Sequence, residues 1–251
     1  GMRMRLAFSS ATHTRPDILL IDEVFAVGDT LFRKKCVERI IKFKEQGTAI
    51  LLVSHSMDQV KEICDEAILL HIGQSVTHGD PQKVVDRYFA LILEETKKRT
   101  PRKVESAVTE YGKKLKINEN RFGSLEAEIR KVLLKNFHGL PLRDIRCGES
   151  LTVEIEFNAK KPVKSAMIIV NITDDRGRLY CSINSISKQI TLLLVECKFK
   201  IALHVDRLDL NVGKYYIDVG IYDSDLSYAY DFHHQVYSFF ITSTANNVEG
   251  I

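Results

Sequence analysis

The sequence predicts two units of different fold class. Residues 1–93 predict an α/β unit with a mostly parallel sheet, and residues 117–251 predict an all-β immunoglobulin-like sandwich. The first unit alternates short apolar runs with helical patterns, which is typical of a parallel sheet. The second contains many period-two runs without intervening helices, as antiparallel sandwiches do. Residues 94–116 are basic and poor in apolar side chains, so they predict a solvated linker between the two units.

The α/β unit contains two apolar runs that do not alternate with polar residues, which predicts strands buried on both faces. Asp29 suits the N-cap of the long helix between these strands, and Gly47 suits its end. Pro81 suits the first position of a later helix. The expected order is helix, strand, helix, strand, short helix, hairpin and helix, over residues 3–11, 18–21, 29–46, 49–53, 57–63, 67–78 and 81–93.

The second unit shows the alternation of apolar and polar residues that half-buried strands require. This alternation runs through residues 153–157, 197–203, 217–221 and 237–241. Residues 175–177 predict a turn between two further strands. About seven or eight short strands with no helices between them favour an antiparallel sandwich.

Composition excludes several classes of function. A net charge of +3 with 27% charged residues is too slight a basic excess to indicate nucleic acid as a partner. The five cysteines are dispersed and form no C-x-x-C pair, which indicates free thiols in a reducing compartment and no cysteine-based metal site. No run approaches the ~20 apolar residues that would span a bilayer. These features predict a cytoplasmic protein.

Two adjacent carboxylates, Asp22 and Glu23, follow the first buried strand. Open α/β sheets place their ligands at this end of a strand. Asp22 could hold Mg²⁺ through the water molecules of the metal, and Glu23 could deprotonate an attacking water. A solvated strand end, with no ligand, is an equally open interpretation of the pair.

Three further signals are expected near the same sheet edge. His55 follows the second buried strand, and an imidazole can donate a hydrogen bond to a phosphate oxygen. Residues 26–29, which end in Asp29, form the loop before a helix. Gly1 and Met2 open a helix whose free N–H groups suit a phosphate. Each signal alone also has a purely structural interpretation.

The order and spacing of these four signals resemble the second half of an ABC-transporter ATPase domain. Residues 1–9 resemble the tail of the signature motif, residues 18–23 the Walker B motif, and residues 26–29 the D-loop. His55 occupies the place of the switch histidine. The stretch 67–89, with its hairpin and Gly-Asp-Pro, is similar to the end of such domains.

The resemblance implies ATP and Mg²⁺ as cofactors and gives each residue a role. Asp22 would bind Mg²⁺, and Glu23 would be the catalytic base. His55 would sense the γ-phosphate of ATP. Asp29 would cross the interface of an ATPase dimer.

The signature helix would contact ATP held by the opposing subunit, and this places Gly1 and Met2 at the nucleotide. Met2 stands where the family usually has glutamine, which puts the contact at that position in doubt. The phosphate loop with its lysine, the glutamine loop and the first half of the signature are missing from the 251 residues. We therefore expect a piece of a longer protein, or a start assigned too late. The parent protein is expected to hydrolyse ATP, whereas this chain alone is not, because nothing holds the β- and γ-phosphates.

The signature text of residues 1–9 is similar to that of the polysaccharide-exporting branch of the ABC family, which includes O-antigen exporter ATPases of the Wzt type and teichoic acid exporters. Wzt-type members carry a C-terminal β-sandwich that binds the exported glycan. Short segments of the second unit resemble that domain, at residues 121–123, 148–149, 174–177, 213–216 and 239–242. This resemblance implies a transmembrane permease subunit as partner, a lipid-linked polysaccharide as cargo, and a peripheral location on the inner face of the cell membrane.

Sugar recognition needs aromatic faces for the rings and polar groups for the hydroxyls. Residues 222–237 offer both, and the candidate glycan contacts there are Tyr222, Tyr228, Tyr230, Asp231 and His233. The alternative is that the tyrosines are core or strand-surface residues with no ligand.

A second hypothesis is a stand-alone glycan-binding or dimerisation module in which the α/β part is a non-functional ATPase remnant. In either case we expect a homodimer. Half of an ATPase domain would expose apolar sheet surface, and a partner tends to bury such a surface.

Overall fold

The fold is described from a computed structural model, in which the chain forms two compact units, Gly1–Leu91 and Ile92–Ile251. Among the described residues, no helix is both long and apolar enough to cross a bilayer. The described residues are 16–22, 30–54, 56–104, 106–159, 162–185, 192–194, 198–224 and 226–243.

The first unit alternates strands and helices, as the apolar runs predict. Its elements are β1 (Ile18–Asp22), α1 (Thr30–Glu45), β2 (Ala49–Val53), α2 (Met57–Ile63), β3 (Ala67–His71), β4 (Gln74–Gly79) and α3 (Pro81–Arg99). Strands β1 and β2 pair in parallel, and β3 and β4 form an antiparallel hairpin. The bounds of these elements before residue 81 agree with the predicted ones to within a residue or two, and the helix predicted over residues 3–11 lies outside the described residues.

Among residues 16–22 and 30–54, the parallel pair β1–β2 has one buried and one exposed face. Ile21 packs with Cys36 and Ile40 of α1 and with Ile63 of α2 in a small core. On the opposite face four aliphatic side chains are 55–71% exposed, namely Ile18, Leu20, Leu51 and Val53. Parallel sheets normally bury both faces, so this face lacks a covering layer within the part of the first unit that the structure describes.

The second unit consists of strands after the end of α3. They are β5 (Ala107–Val108), β6 (Lys114–Leu115), β7 (Arg121–Phe122), β8 (Ala127–Lys135), β9 (Asp144–Arg146), β10 (Leu151–Ala159), β11 (Val163–Asp174), β12 (Leu179–Asn184), β13 (Leu192–Leu194), β14 (Lys198–Val205), β15 (Gly213–Tyr222) and β16 (Ala229–Thr242).

Two sheets of this unit enclose a common hydrophobic core. The small sheet has the order β14-β10-β8, and the large sheet has the order β12-β11-β15-β16-β7, with β13 paired to β11 and β9 to β16. Alternate residues of both sheets meet in the core, among them Ile155 and Phe157 from the small sheet and Ile217 and Phe239 from the large sheet. The prediction of an all-β sandwich is confirmed.

The first residues of the predicted linker are helical and partly buried, and do not form the solvated chain that was predicted. Helix α3 continues to Arg99, and Thr96 and Thr100 are buried. The backbone N–H of Ala229 donates to Thr96 Oγ1 at 2.9 Å, and that of Gly123 donates to Thr100 Oγ1 at 2.9 Å. The end of α3 is therefore packed on the sandwich through two hydroxyl groups, a contact that the basic composition of residues 94–116 does not reveal.

Candidate functional site

Of the six residues predicted for the nucleotide site, only Asp22 lies among the described residues. It ends β1 opposite Val53, and its side chain is exposed. The other five predicted residues of that site lie outside the described residues, namely Gly1, Met2, Glu23, Asp29 and His55. The ATP and Mg²⁺ site therefore stays a prediction.

Asp231 and His233 were predicted to contact a glycan, but both side chains are buried inside the sandwich. They are therefore interior residues. Arg121 donates from Nε to Asp231 Oδ1 at 2.9 Å and from Nη2 to Oδ2 at 2.7 Å. The N–H of Ile129 donates to Asp231 Oδ2 at 2.9 Å. His233 Nδ1 lies 2.7 Å from the Tyr237 hydroxyl. Neither side chain has exposed surface for a sugar to contact.

The electrostatics of this buried cluster favour the charged form of the Asp231 carboxylate. Burial by itself raises the pKa of Asp231, but His233 and Arg121 outweigh it, and the pKa lies below its ordinary value. Along β16, Asp231 and His233 lie on the same side of the strand as Tyr237 and Phe239, whose side chains point into the core. That parity is visible in the sequence and could have placed both residues inside.

Tyr228 and Tyr230 form an aromatic cluster beside the end of α3. Their rings meet edge to face at 5.4 Å, and the guanidinium carbon of Arg99 lies 3.9 Å from the centroid of the Tyr228 ring. Tyr230 is buried in the core, and the Tyr228 hydroxyl lies 3.4 Å from Glu126 Oε2. Because Arg99 occupies one face of Tyr228 and Tyr230 is enclosed, this geometry favours the structural interpretation of both tyrosines.

Tyr222 differs from the other candidates because it points away from the core. Its ring lies over Gly220, where an added Cβ would overlap the ring. The ring of Phe232 lies 6.3 Å from that of Tyr222, and Phe122 lies 6.5 Å from Phe232. His234 stacks on Phe232 at 5.8 Å. A row of rings therefore crosses the outer face of β15, β16 and β7.

A polar row crosses the same outer face beside these rings. Asn171 of β11 pairs with Asp218 of β15, and a bulge in β16 brings His234 and Gln235 to the other side of Asp218. Asp218 is only 3% exposed and accepts hydrogen bonds from the Gln235 N–H at 2.6 Å and from Thr173 Oγ1 at 3.2 Å. Asn171 and Asp218 were missed by sequence reasoning, because both fit an ordinary outward-facing polar position, whereas His234 and Gln235 lie within the predicted segment 222–237.

One atom of this row stands out for its lack of a partner. Asn171 Oδ1 is buried, and no hydrogen-bond donor reaches it from the part of the chain that the structure describes. His234 Nδ1 lies 3.3 Å from Asp218 Oδ2, close enough for an ion pair but without the alignment of a hydrogen bond. The proximity of Asp218 raises the pKa of His234 despite partial burial.

The outer face of the small sheet has a different character. Lys135 and Lys200 each place Nζ 2.8 Å from a carboxylate oxygen of Glu154, and Lys200 also lies 3.8 Å from Glu156. Hydrogen bonds from the two lysines lower the pKa of Glu154. Alternating paired charges of this kind are typical of a solvated sheet face. The two outer faces of the sandwich are therefore not equivalent.

Known proteins match different stretches of the chain. The family model of the Wzt C-terminal domain matches residues 118–251. The O-antigen export system ATP-binding protein RfbB of Myxococcus xanthus is 34% identical over 222 residues, which cover 86% of this chain and 49% of that protein. The teichoic acids export ATP-binding protein TagH of Bacillus anthracis is 49% identical over 88 residues, or 35% of this chain and 16% of that protein.

The chain therefore spans half or less of the length of these two relatives. The crystal structure of the C-terminal domain of wzt aligns over 51% of this chain and 81% of that chain, at 16% identity and a TM-score of 0.44. The relatives are named as ATP-binding proteins of teichoic acid and O-antigen export. Since the family model matches more than half of its residues, the chain belongs to the Wzt C-terminal domain family.

Proposed function

We propose that this chain is part of the nucleotide-binding subunit of an ABC exporter that couples ATP hydrolysis to the export of a lipid-linked polysaccharide such as O-antigen. In this proposal the immunoglobulin-like sandwich recognises the glycan. The names of the two relatives support the export function, since both are ATP-binding proteins of cell-surface polymer export. The match of residues 118–251 to the Wzt C-terminal domain supports a separate task for the sandwich.

The difference between the two outer faces of the sandwich carries the glycan proposal. The face of the large sheet combines the half-buried rings of Tyr222 and Phe232 with the half-buried polar side chain of His234. Sugar rings present apolar C–H faces and hydroxyl edges, so they need this combination. The opposite face is occupied by ion pairs between lysines and glutamates.

The first unit supplies the nucleotide chemistry in this proposal. Asp22 would bind Mg²⁺ and Glu23 would activate water, while His55 and Asp29 would contact ATP and the opposing subunit. Gly1 and Met2 would belong to the signature helix. The chain by itself is not expected to hydrolyse ATP, because it lacks the lysine and backbone amides that hold the phosphates.

The partners follow from the same proposal. An ABC exporter needs a transmembrane permease subunit, so we place this protein at the inner, cytoplasmic face of the cell membrane as a peripheral subunit. Two copies would form the ATPase dimer. Nucleic acid is not among the proposed partners.

A binding experiment tests the glycan proposal. The 251-residue chain would be titrated against immobilised mannan, galactan, dextran, alginate, polygalacturonate, glycerol teichoic acid and purified bacterial O-polysaccharides. At least one polymer is expected to bind, and Tyr222→Ala should weaken that binding about fivefold to tenfold through loss of an aromatic face. The control is Phe137→Ala, which removes an exposed ring from the turn after β8, away from this face. No binding to any polymer would contradict the proposal.

The alternative, a dimerisation module with a non-functional ATPase remnant, is favoured by one observation. The exposed aliphatic face of β1–β2 is a surface that self-association would bury. The two proposals differ in the polymer titration, since a dimerisation module binds none of the polymers.

A further inference from the structure

Two aromatic rings, a lysine and a serine lie together at one end of the outer face of the large sheet. Lys214 of β15 is opposite Phe240 of β16, and two residues further along Tyr216 is opposite Ser238. The residues that alternate with them along both strands point into the core. All four side chains therefore face outward, and we call them the Lys214 cluster.

The Lys214 cluster is accessible to a ligand. Phe240 is 46% exposed and Lys214 is exposed, while Tyr216 and Ser238 are half-buried. Lys214 Nζ lies 5.2 Å from the centroid of the Tyr216 ring and 5.9 Å from that of the Phe240 ring, which is within the reach of a cation–π interaction. The exposed fraction of Phe240 is what remains with Lys214 in this position. Open ring surface is therefore present beside the ammonium group.

The polar atoms of the Lys214 cluster are not used within the described parts of the protein. Lys214 Nζ has no carboxylate partner there, and neither the Tyr216 hydroxyl nor the Ser238 hydroxyl makes a hydrogen bond to them. On the opposite outer face, by contrast, two lysines pair with the carboxylate of Glu154. The ammonium of Lys214 is therefore available to an anion from outside the chain.

The other charges at this end of the face offset one another. Strand β9, which pairs with β16, brings Asp144 and Arg146 to the same face, and both are exposed. Residues 174–178, which follow the partner of Tyr215 on β11, contain two aspartates and two arginines. Asp218, the next carboxylate along β15, is only 3% exposed. The charge that remains is the positive charge of Lys214.

We propose that Lys214, Tyr216 and Phe240 form a subsite for a sugar unit that carries an anionic group, either a carboxylate or a phosphate. The inference rests on the proposed glycan function and specifies the charge of the polymer. The open surface of the Phe240 ring would contact the C–H face of the sugar. The Lys214 ammonium would pair with the anionic group, and the hydroxyls of Tyr216 and Ser238 would bind sugar hydroxyls.

The subsite lies on the same outer face as Tyr222, the aromatic residue already proposed to contact the glycan. Lys214 and Tyr222 are eight residues apart on β15, a span of about 26 Å. A polymer of several sugar units can therefore contact both positions at once. This is why the ligand is expected to be a polymer and not a single sugar.

The test uses the full chain and the polymers named above. Alginate and polygalacturonate carry a carboxylate on each sugar, whereas mannan and galactan carry a hydroxymethyl group in its place. At least one acidic polymer should bind about threefold or more tightly than its neutral counterpart. Raising the salt concentration from about 0.05 M to about 0.5 M should reduce this difference, because the charges are exposed. Tighter binding of glycerol teichoic acid than of either uronate polymer would identify the anionic group as a phosphate.

A charge variant assigns the preference to Lys214. Lys214→Gln should weaken binding of the tightest acidic polymer about threefold to fivefold, the effect of one exposed ion pair, and leave binding of neutral polymers unchanged. Lys214→Glu should abolish the preference for acidic polymers. The matched control is Lys198→Gln, the same change at an exposed lysine of β14 on the opposite outer face, and it should bind like the unchanged chain.

A ring variant tests the aromatic part of the subsite. Phe240→Ala should weaken binding of acidic and neutral polymers alike, about threefold to tenfold. Its control is Phe89→Ala, which removes a ring of nearly equal exposure, 47%, from α3. Lys214→Gln should keep the melting temperature of the unchanged chain, since it alters an exposed side chain without a carboxylate partner among the described residues. Its effect on binding is then not an effect on folding.

The outcomes distinguish the inference from the proposed function. Acidic polymers that bind no more tightly than their neutral counterparts, or equal effects of Lys214→Gln and Lys198→Gln, would overturn the subsite and leave the glycan function standing. No binding of any polymer by the unchanged chain would overturn the proposed function together with the subsite.

Discussion

Arg121 and Asp231 form a bidentate ion pair inside the sandwich, with N–O distances of 2.9 and 2.7 Å. The pair joins β7 to β16, and Arg121 Nη2 also donates to Glu128 Oε2 of β8 at 3.0 Å. All three side chains are buried. A planar guanidinium can donate two parallel hydrogen bonds to the two oxygens of a carboxylate without distortion of either group.

Removing one partner of this pair should destabilise the sandwich strongly. Asp231→Leu leaves the Arg121 charge buried beside Glu128 alone and removes the acceptor of the Ile129 N–H. We expect a loss of about 3–5 kcal/mol in the free energy of unfolding, measured by urea titration at neutral pH. Lys200→Ala, which removes an ion pair on the exposed face of the small sheet, should cost less than about 1 kcal/mol. Equal losses in the two variants would contradict the interior role of Asp231.

His234 should make stability depend on pH in a defined direction. Its pKa in the folded protein is raised by the Asp218 carboxylate, above an unfolded value of about 6.5. A raised pKa contributes stability that is fully present below about pH 6.5 and is lost as the pH rises through the folded value. The urea midpoint should therefore fall between pH 6 and pH 8.5 by more in the unchanged chain than in His234→Gln. The same fall in both proteins would show that His234 does not contribute to it.

Gly123 should tolerate substitution less well than other glycines with positive φ. Its φ is +139°, and an added Cβ would overlap the carbonyl of Tyr230. Gly123→Ala is expected to cost about 3 kcal/mol or more, from backbone strain and the steric overlap together. Gly139→Ala is the matched control, since Gly139 has a φ of +76° and open space around it. That variant should cost only about 1–2 kcal/mol. A urea titration of both variants measures the difference, and equal costs would argue against the overlap.

Much of the local structure follows from the pattern of apolar residues. The continuous apolar runs predict the positions of β1 and β2, although only one face of this strand pair is buried among the described residues. The alternation around residue 155 predicts the inward face of β10, with Val153, Ile155 and Phe157 in the core.

The parts that the sequence did not reveal depend on long-range contacts. Arg121, the charge partner of Asp231, lies 110 residues away in the sequence, and no local pattern predicts that pairing. The end of α3 is held by hydroxyl groups whose partners lie in β16 and after β7. Asn171 fits an outward polar position in the sequence, and only the sheet register places it beside Asp218.

The exposed face of β1–β2 should cause self-association of this chain. Leu20 and Leu51 lie side by side on that face, 71% and 62% exposed. Two copies can bury the same apolar patch against each other in a symmetric dimer. We expect sedimentation velocity at micromolar concentrations to show concentration-dependent dimers, and the double variant Leu20→Lys and Leu51→Lys to sediment as a monomer. Leu140→Lys changes a similarly exposed leucine in the turn after β8, 61% exposed, and should leave the dimers intact. A monomer for the unchanged chain throughout this range would show that the face is not used between copies.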